Sequence, residues 1–282
     1  MTALTLSPAR TRARPSLRPG AGAAALFLVL VVLAAISPGL LATHAPDAIR
    51  PAEFFQPPSA AHWFGTDQNG RDVYARVVHG ARQSLLIGVS ATAISLGLGT
   101  LLGLLAALGG RVADFVVGRV LEVLFSFPGL LLALLFIAVF GTGVTTAAIA
   151  VGIGEAPGYA RLIRAQASGV VRSGYVEAAH GLGHHPLRVV RRTVFPNVLR
   201  PLVALATLGI GQSVVWASSL SFLGLGAQPP AAEWGAMLAD GRTYLQLAWW
   251  ASLFPGLFIV LTTLSTTVLG RRLQARLDSR SS

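Results

Sequence analysis

The sequence predicts an all-α polytopic membrane protein with six transmembrane helices, both termini in the cytoplasm, and a cytoplasmic helical loop between helices 4 and 5. Three observations lead there. The chain is 53% hydrophobic and only 12% charged, with a mean hydropathy of +0.65, whereas a soluble domain carries about a quarter charged residues. Five runs (Ala21–Thr43, Gln83–Gly110, Val123–Gly154, Pro201–Ala232 and Thr243–Gly270) contain no Asp, Glu or Arg, and each exceeds the ~20 residues a helix needs to cross a bilayer. The 22 basic residues are all arginines, and they fall unevenly on the segments between those runs.

Residues 1–20 form an Arg- and Pro-rich tail, and 21–43 the first span. Its apolar stretch exceeds the ~7–15 residues of a signal-peptide core, and no small-residue cleavage site follows Leu41, so an uncleaved helix is expected. Residues 44–82 form an extracytoplasmic segment whose prolines, in PAEFFQPP, favour extended or turn structure. A core of five spans occupies 83–270, with helices near 83–108, 116–140, 144–164, 201–224 and 247–270; Gly141-Thr142-Gly143 divides the long run Val123–Gly154. Residues 271–282 are a second cytoplasmic tail. Pro128 and Pro255 fall inside helices 3 and 6, where each frees a backbone carbonyl and can kink the helix. Gly99 and Gly103 are spaced G-x-x-x-G, and Gly209, Gly211, Ser218, Ser219 and Ser221 lie in the fifth helix. Such small residues let membrane helices approach closely.

With the N-terminus inside, Arg10, Arg12, Arg14 and Arg18, Arg111 and Arg119, the seven arginines from Arg161 to Arg200, and the four from Arg271 onward face the cytoplasm. Only Arg50, Arg71, Arg76, Arg82 and Arg242 remain outside. This is the positive-inside bias, so the net charge of +11 is an orientation signal rather than the footprint of a nucleic-acid partner. Composition also limits the chemistry. Without lysine the chain has no G-x-x-x-x-G-K-[ST] phosphate loop, so any ATP that drives it is hydrolysed by another polypeptide. Without cysteine, disulfides and thiolate metal sites are excluded. No Ser/His/Asp ordering or paired-carboxylate pattern stands in a recognisable context, and catalysis is not expected.

Carboxylates at membrane depth are costly and are read first as functional. Glu122, however, follows Arg119 by three residues, a helical ion-pair spacing. Glu155 lies six residues before Arg161, toward the inner face, and one carboxylate does not make a proton relay. His180, His184 and His185 invite a metal reading, but Gly181 and Gly183 interrupt the helix and no ligand set completes a site. Hydrogen bonding at the surface is the expected use of these imidazoles, and no metal is expected.

The loop 174–196, GYVEAAHGLGHHPLRVVRRTVFP, is the polar exception in an apolar chain. Gly174–Leu182 make a short helix, with Tyr175, Val176 and Ala179 on one apolar face. Gly183 supplies a turn that tolerates positive φ. Pro186 opens a second helix, with Leu187, Val190 and Val194 at helical spacing, and Pro196 interrupts it before the next span. A polar helix held rigidly outside the bilayer is shaped to dock in a partner's groove; the alternative is a solvated loop touching anionic lipid headgroups.

Glu177, Ala178 and Ala179, followed after three residues by Gly183, resemble the EAA loop of bacterial ABC-importer permeases. FGTDQNGRDVYARVVHGARQSLLIG (64–88), GYARLIRAQ (158–166), PNVLRPLVALATLGIG (196–211) and SFLGLGAQPPAAEWGAMLADGR (221–242) resemble the dipeptide/oligopeptide/nickel permease family, in particular its "C"-type subunit. The resemblance covers most of 62–270. It implies a subunit of a bacterial inner-membrane importer, paired with a homologous B-type permease, two ATPase subunits and an extracytoplasmic substrate-binding protein, and surrounded by lipid. ATP and Mg would be bound by the ATPase subunits, with no cofactor in this chain. Glu177, Ala178, Ala179 and Gly183 would take the ATPase-coupling role; no substrate-binding residue is indicated. The chain departs from the family in having Gly181-Leu182-Gly183-His184 where Ala-Leu-Gly-Ala is common, and Val194-Phe195-Pro196 before the next span. Peptide is the expected cargo. Nickel or another chelated metal is the alternative within the family, and a non-transporting membrane scaffold is the rival class. Arg71 and Asp72 are left between a gating role and pairing with each other and their neighbours.

Overall fold

The Asp72 carboxylate starts the longest helix of the chain: it accepts the Ala75 amide at 2.7 Å and so satisfies one of the open donors of a helix N-terminus. From there α2 runs over Val73–Leu108, following α1 (Pro19–Ile36) and a segment with two short 3₁₀ turns, Pro38–Leu40 and Pro51–Glu53. The computed structural model describes residues 19–278. Of the tails expected at 1–20 and 271–282, residues 1–18 and 279–282, with Arg10, Arg12, Arg14, Arg18 and Arg280, lie outside the described residues, and 271–278 continue the last helix. The described chain is all-helical; a single Thr66–Asp72 bridge is the one trace of β pairing among them.

After α2 come α3 (Gly110–Phe125), α4 (Gly129–Phe140) and α5 (Val144–Val171). The loop helices follow, α6 (Gly174–Gly181) and α7 (Pro186–Val189), then one wide helical turn over Val190–Val194 that feeds α8 (Phe195–Phe222). The chain closes with α9 (Trp234–Arg242) and α10 (Trp250–Asp278). Three helices are long and apolar enough to cross a membrane: α2, the Pro201–Phe222 part of α8, and α10 as far as Leu277. A fourth arises if α3 and α4 count as one broken span, and Gly20–Ile36 is apolar but shorter.

Several boundaries differ from expectation for physical reasons. The single helix expected over 116–140 is two, set at 88° to each other. Pro128 does not sit inside a kinked helix: it caps α4 in an extended conformation, and by disfavouring helical backbone at Phe127 it separates α4 from α3. Pro196 does not interrupt the chain either. It lies in the first turn of α8, and the wide turn before it carries the backbone past the missing donor, with the Phe195 amide bonding to Val190 O. α9 was not foreseen. The Glu233 carboxylate caps it by accepting the Gly235 and Ala236 amides, both at 2.9 Å.

Alternate helices run in opposite directions. Tyr74 Oη donates to Leu41 O at 3.0 Å, the Gly143 amide to Leu225 O at 3.3 Å, and Trp250 Nε1 to Thr66 O at 3.0 Å. These contacts gather the end of α1, the starts of α2 and α5, the end of α8 and the start of α10 at one end of the bundle. The opposite end carries α6 and α7.

Close packing of α5 on α2 organises the centre. A Cβ at Gly103 would stand 2.8 Å from Ala160 O and 2.9 Å from Ile163 Cβ, and one at Gly99 would stand 2.6 Å from Tyr159 Cβ. On α5, a Cβ at Gly152 would meet Ile94 at 2.7 Å. The G-x-x-x-G pair therefore faces a neighbouring backbone, as small-residue contacts in membranes do. Replacing Gly103 with leucine should push the two helices apart and destabilise the protein by about 1–3 kcal/mol, read as a lowered thermal midpoint of the purified protein. The same change at Gly97, which has open space around it, should leave the midpoint near that of the parent.

Candidate functional site

The loop between α5 and α8 is built on valines. Val176 of α6, Val189 of α7, Val194 of the wide turn and Val198 of α8 are all buried, and they pack with Ile163 and Ala167 of α5. Leu96, Leu104 and Ala107 of α2 lie against the same cluster. The loop is thus rooted on three long helices at once. Of the apolar face expected on α6, Val176 is 2% exposed and Ala179 half-buried, while Tyr175 is exposed. Of Leu187, Val190 and Val194, set at helical spacing, Val194 is buried and Leu187 is 68% exposed, while Val189 takes a buried place. The wide turn inserts one extra residue between successive buried positions, Val189 and Val194, and so shifts the phase.

Beyond those anchors the loop touches little of its own chain. Every residue from His180 to Arg188 is exposed, and Leu182 at the apex is 78% exposed. Glu177 and Ala178 are exposed on α6. Gly183 has φ +78°, and no atom lies within 4 Å of where its Cβ would be; its glycine is required by backbone conformation, not by space. The Gly183 and His184 amides donate to His180 O and Ala179 O, which closes the α6 C-terminus. The structure therefore brings Glu177, Ala178, Ala179 and Gly183 together on one short projection, with Ala179 alone turned toward the protein. Of the histidines, His185 accepts the Leu187 amide at 3.3 Å and caps α7, while His180 and His184 stand exposed.

The opposite end is a polar cap that sequence reasoning largely missed. Asp67 accepts the Asn69 and Arg71 amides and the Arg71 Nε at 2.7 Å. Arg71 thus pairs with Asp67, not with Asp72, the alternative held open in the sequence. Asp72, besides capping α2, lies 2.7 Å from His62 Nδ1, whose Nε2 is 3.3 Å from Glu53. Arg76, 2% exposed, donates to Pro230 O and Ala231 O across the chain. Buried Glu233 also receives the Ser84 hydroxyl, and Trp234 Nε1 donates to Val77 O at 2.9 Å. Burial pushes the Asp240 carboxyl above its ordinary range, with Arg76 and Arg71 pulling the other way. Buried charge is tolerated only where paired and hydrogen-bonded; Asp67 and Arg71 meet that requirement within GTDQNGRD, and Glu233 of AAEWG meets it through Ser84 and the Gly235 and Ala236 amides.

Between the ends, Glu122 pairs with Arg119 at 2.7 Å on an exposed face of α3, as its spacing predicted. Glu155 is half-buried and accepts the Ser213 hydroxyl at 2.7 Å, joining α5 to α8. Arg164 reaches Asp114 at 2.6 Å and fixes α3 to α5.

An antiparallel apolar bundle with a polar cap at one end and an exposed, rigidly rooted helix at the other has the form of a membrane permease component. The chain belongs to the family of binding-protein-dependent transport system inner membrane components, whose model matches residues 99–282. Among its relatives is the "Probable D,D-dipeptide transport system permease protein DdpC" of Escherichia coli (strain K12), 42% identical over 91% of this chain and 86% of that protein. Others are the dipeptide transport system permease protein DppC of Alkalihalophilus pseudofirmus (38% identical, covering 90% and 84%) and the glutathione transport system permease protein GsiD of Pectobacterium atrosepticum (38%, covering 92% and 86%). In fold it is similar to a chain of the MetNI methionine ABC transporter in an inward-facing conformation, with a TM-score of 0.57 at 20% identity over 72% of this chain and 96% of that one. The protein is an ABC-importer permease of the inner membrane, and ATP hydrolysis is not its task.

If the valine cluster roots the loop, Val189→Ala should cost about 1–2 kcal/mol. Hydrogen exchange should then accelerate in 174–195, while amides of the distant α9 keep their protection.

Proposed function

We propose that this permease forms half of a translocation pathway for short peptides, with Glu177, Ala178, Ala179 and Gly183 as the seat through which separate ATPase subunits move it. Peptide as cargo is supported by relatives described as dipeptide, di/tripeptide and glutathione permeases. The partners are a homologous B-type permease, two ATPase subunits that bind ATP and Mg, and an extracytoplasmic binding protein. The observation that carries the coupling assignment is the contrast within the loop: Val176, Val189 and Val194 are buried, whereas His180–Arg188 is uncovered by its own chain. An exposed helix end on a firm root transmits force; a loose one does not.

Topology follows the same reading. The chain crosses six times, by α1, α2, the α3–α4 pair, α5, α8 and α10, with both termini and α6–α7 in the cytoplasm. The arginine distribution favours this orientation, and the alternating helix directions are consistent with it. In α5, one Glu155 oxygen is held by Ser213, Arg164 pairs with Asp114 and Arg161 stacks on Phe125. When ATP closes the ATPase pair, α6 moves with its cleft, and α5 and α8, which share the valine root, tilt between inward- and outward-open arrangements as rigid bodies.

The test is to replace Glu177 with alanine and Gly183 with valine in the assembled transporter. Each variant should insert normally and retain ATP hydrolysis, while peptide uptake falls by on the order of tenfold, the effect of losing ~1.4 kcal/mol of coupling. Full uptake in both variants overturns the assignment.

A further inference from the structure

The return limb of the loop carries a cluster that the coupling role does not use. Arg188, Arg191 and Arg192 are exposed, and with His185 and Leu187 they line an open recess of about 530 Å³. None of the three guanidiniums has a carboxylate partner among the described residues. Several other arginines of the described residues are matched: Arg119 by Glu122, Arg164 by Asp114, Arg71 by Asp67, and Arg161 stacked on Phe125 at 3.8 Å. Three adjacent unmatched arginines repel one another, so the surface is complementary to an anion supplied from outside the chain.

The apolar neighbours say which anion. Leu187 is 68% and Phe195 41% exposed, one before and one after the arginines. The stretch continues without a break through the wide turn into α8. Phe195 follows Arg192 by three residues, so the cations stand within about one to two turns of exposed apolar surface. Arginine stems extend along apolar surface while the heads stay polar. Cations interleaved with exposed apolar side chains, at the mouth of an apolar helix, are the chemistry of a membrane interface. A soluble partner's groove would meet the α6 apex at Leu182, not this limb.

We propose that Arg188, Arg191 and Arg192 form a binding site for the phosphate headgroups of anionic phospholipids in the cytoplasmic leaflet, with Leu187 and Phe195 set toward the acyl boundary. The proposal rests on the cytoplasmic placement of the loop given above. The site holds the return limb at a fixed depth, so that motion of α6 is passed to α8 rather than lost in sliding along the membrane.

The test uses the assembled complex in detergent, as parent and as the Arg188→Gln/Arg191→Gln/Arg192→Gln variant. Each is titrated with short-chain phosphatidylglycerol, short-chain phosphatidylcholine or inorganic phosphate, and binding is read from the shift in thermal midpoint. Half-saturation by phosphatidylglycerol should weaken about fivefold per arginine, on the order of a hundredfold in all. Phosphatidylcholine should act equally on both proteins, and inorganic phosphate should not displace phosphatidylglycerol. Unchanged phosphatidylglycerol affinity in the variant overturns the proposal, as does displacement by inorganic phosphate, which would make the recess a small-anion site. Loss of the ATPase subunits from the variant complex also overturns it, by assigning the surface to a protein partner. A separate His184→Cys protein, labelled with a membrane-impermeant maleimide, should react in inverted vesicles and not in right-side-out ones. The reverse labelling contradicts the topology, while the detergent titration still reports on the site itself.

Discussion

Membrane helices gain nothing from hiding apolar surface from lipid, so the backbones of α2 and α5 are brought together by absence of side chain. Gly99 and Gly103 on one helix, and Gly152 on the other, set the distance. The rest of the bundle hangs from that contact. α8 is tied to it through Thr92–Ser213 at 3.1 Å and Ser213–Glu155 at 2.7 Å. The valine cluster at the base of the loop also needs α2 and α5 side by side, since Leu96, Leu104 and Ile163 form its floor. A slip between the two helices would misplace the projection that carries Glu177, Ala178, Ala179 and Gly183.

The two ends answer different demands. At the cap, ionisable groups lie in the interior and most are matched: Asp67 with Arg71, Asp72 with His62 and the Ala75 amide, and Arg76 with carbonyls 154 and 155 residues away. Such a network resists rearrangement because breaking one pair strands the other charge. At the loop end the charged groups lie at the surface, and the buried contacts are valines. A permease that is driven from one face and receives cargo at the other is served by a stiff, self-satisfied cap and a projection whose surface is left for a partner.

Much of this was legible in the sequence. The all-helical class followed from charge depletion. The short helix, the left-handed turn at Gly183 and the restart at Pro186 followed from local backbone chemistry that acts within a few residues. What failed was phase and long-range pairing. The helical spacing of Leu187, Val190 and Val194 assumed 3.6 residues per turn, and with one wide turn at Val190–Val194 the buried pair is Val189 and Val194. α9 was hidden because Glu233, Asp240 and Arg242 made its sequence look like a polar loop. Its cap by Glu233 is local, while the burial of Trp234 shows only when α2 is placed beside it. Arg71 and Asp72, adjacent in sequence, point to different partners for the same reason: the Thr66–Asp72 bridge folds the segment back on itself.

The claim that energy enters at the α6 apex is tested most directly by cross-linking. The chain has no cysteine, so a single one at Leu182 is unambiguous, and a second protein with cysteine at the exposed Trp63 of the opposite end serves as control. A short bifunctional reagent applied to the assembled transporter should join Leu182→Cys to an ATPase subunit and leave Trp63→Cys unjoined to it. An ATPase cross-link from Trp63→Cys with none from Leu182→Cys would contradict the account.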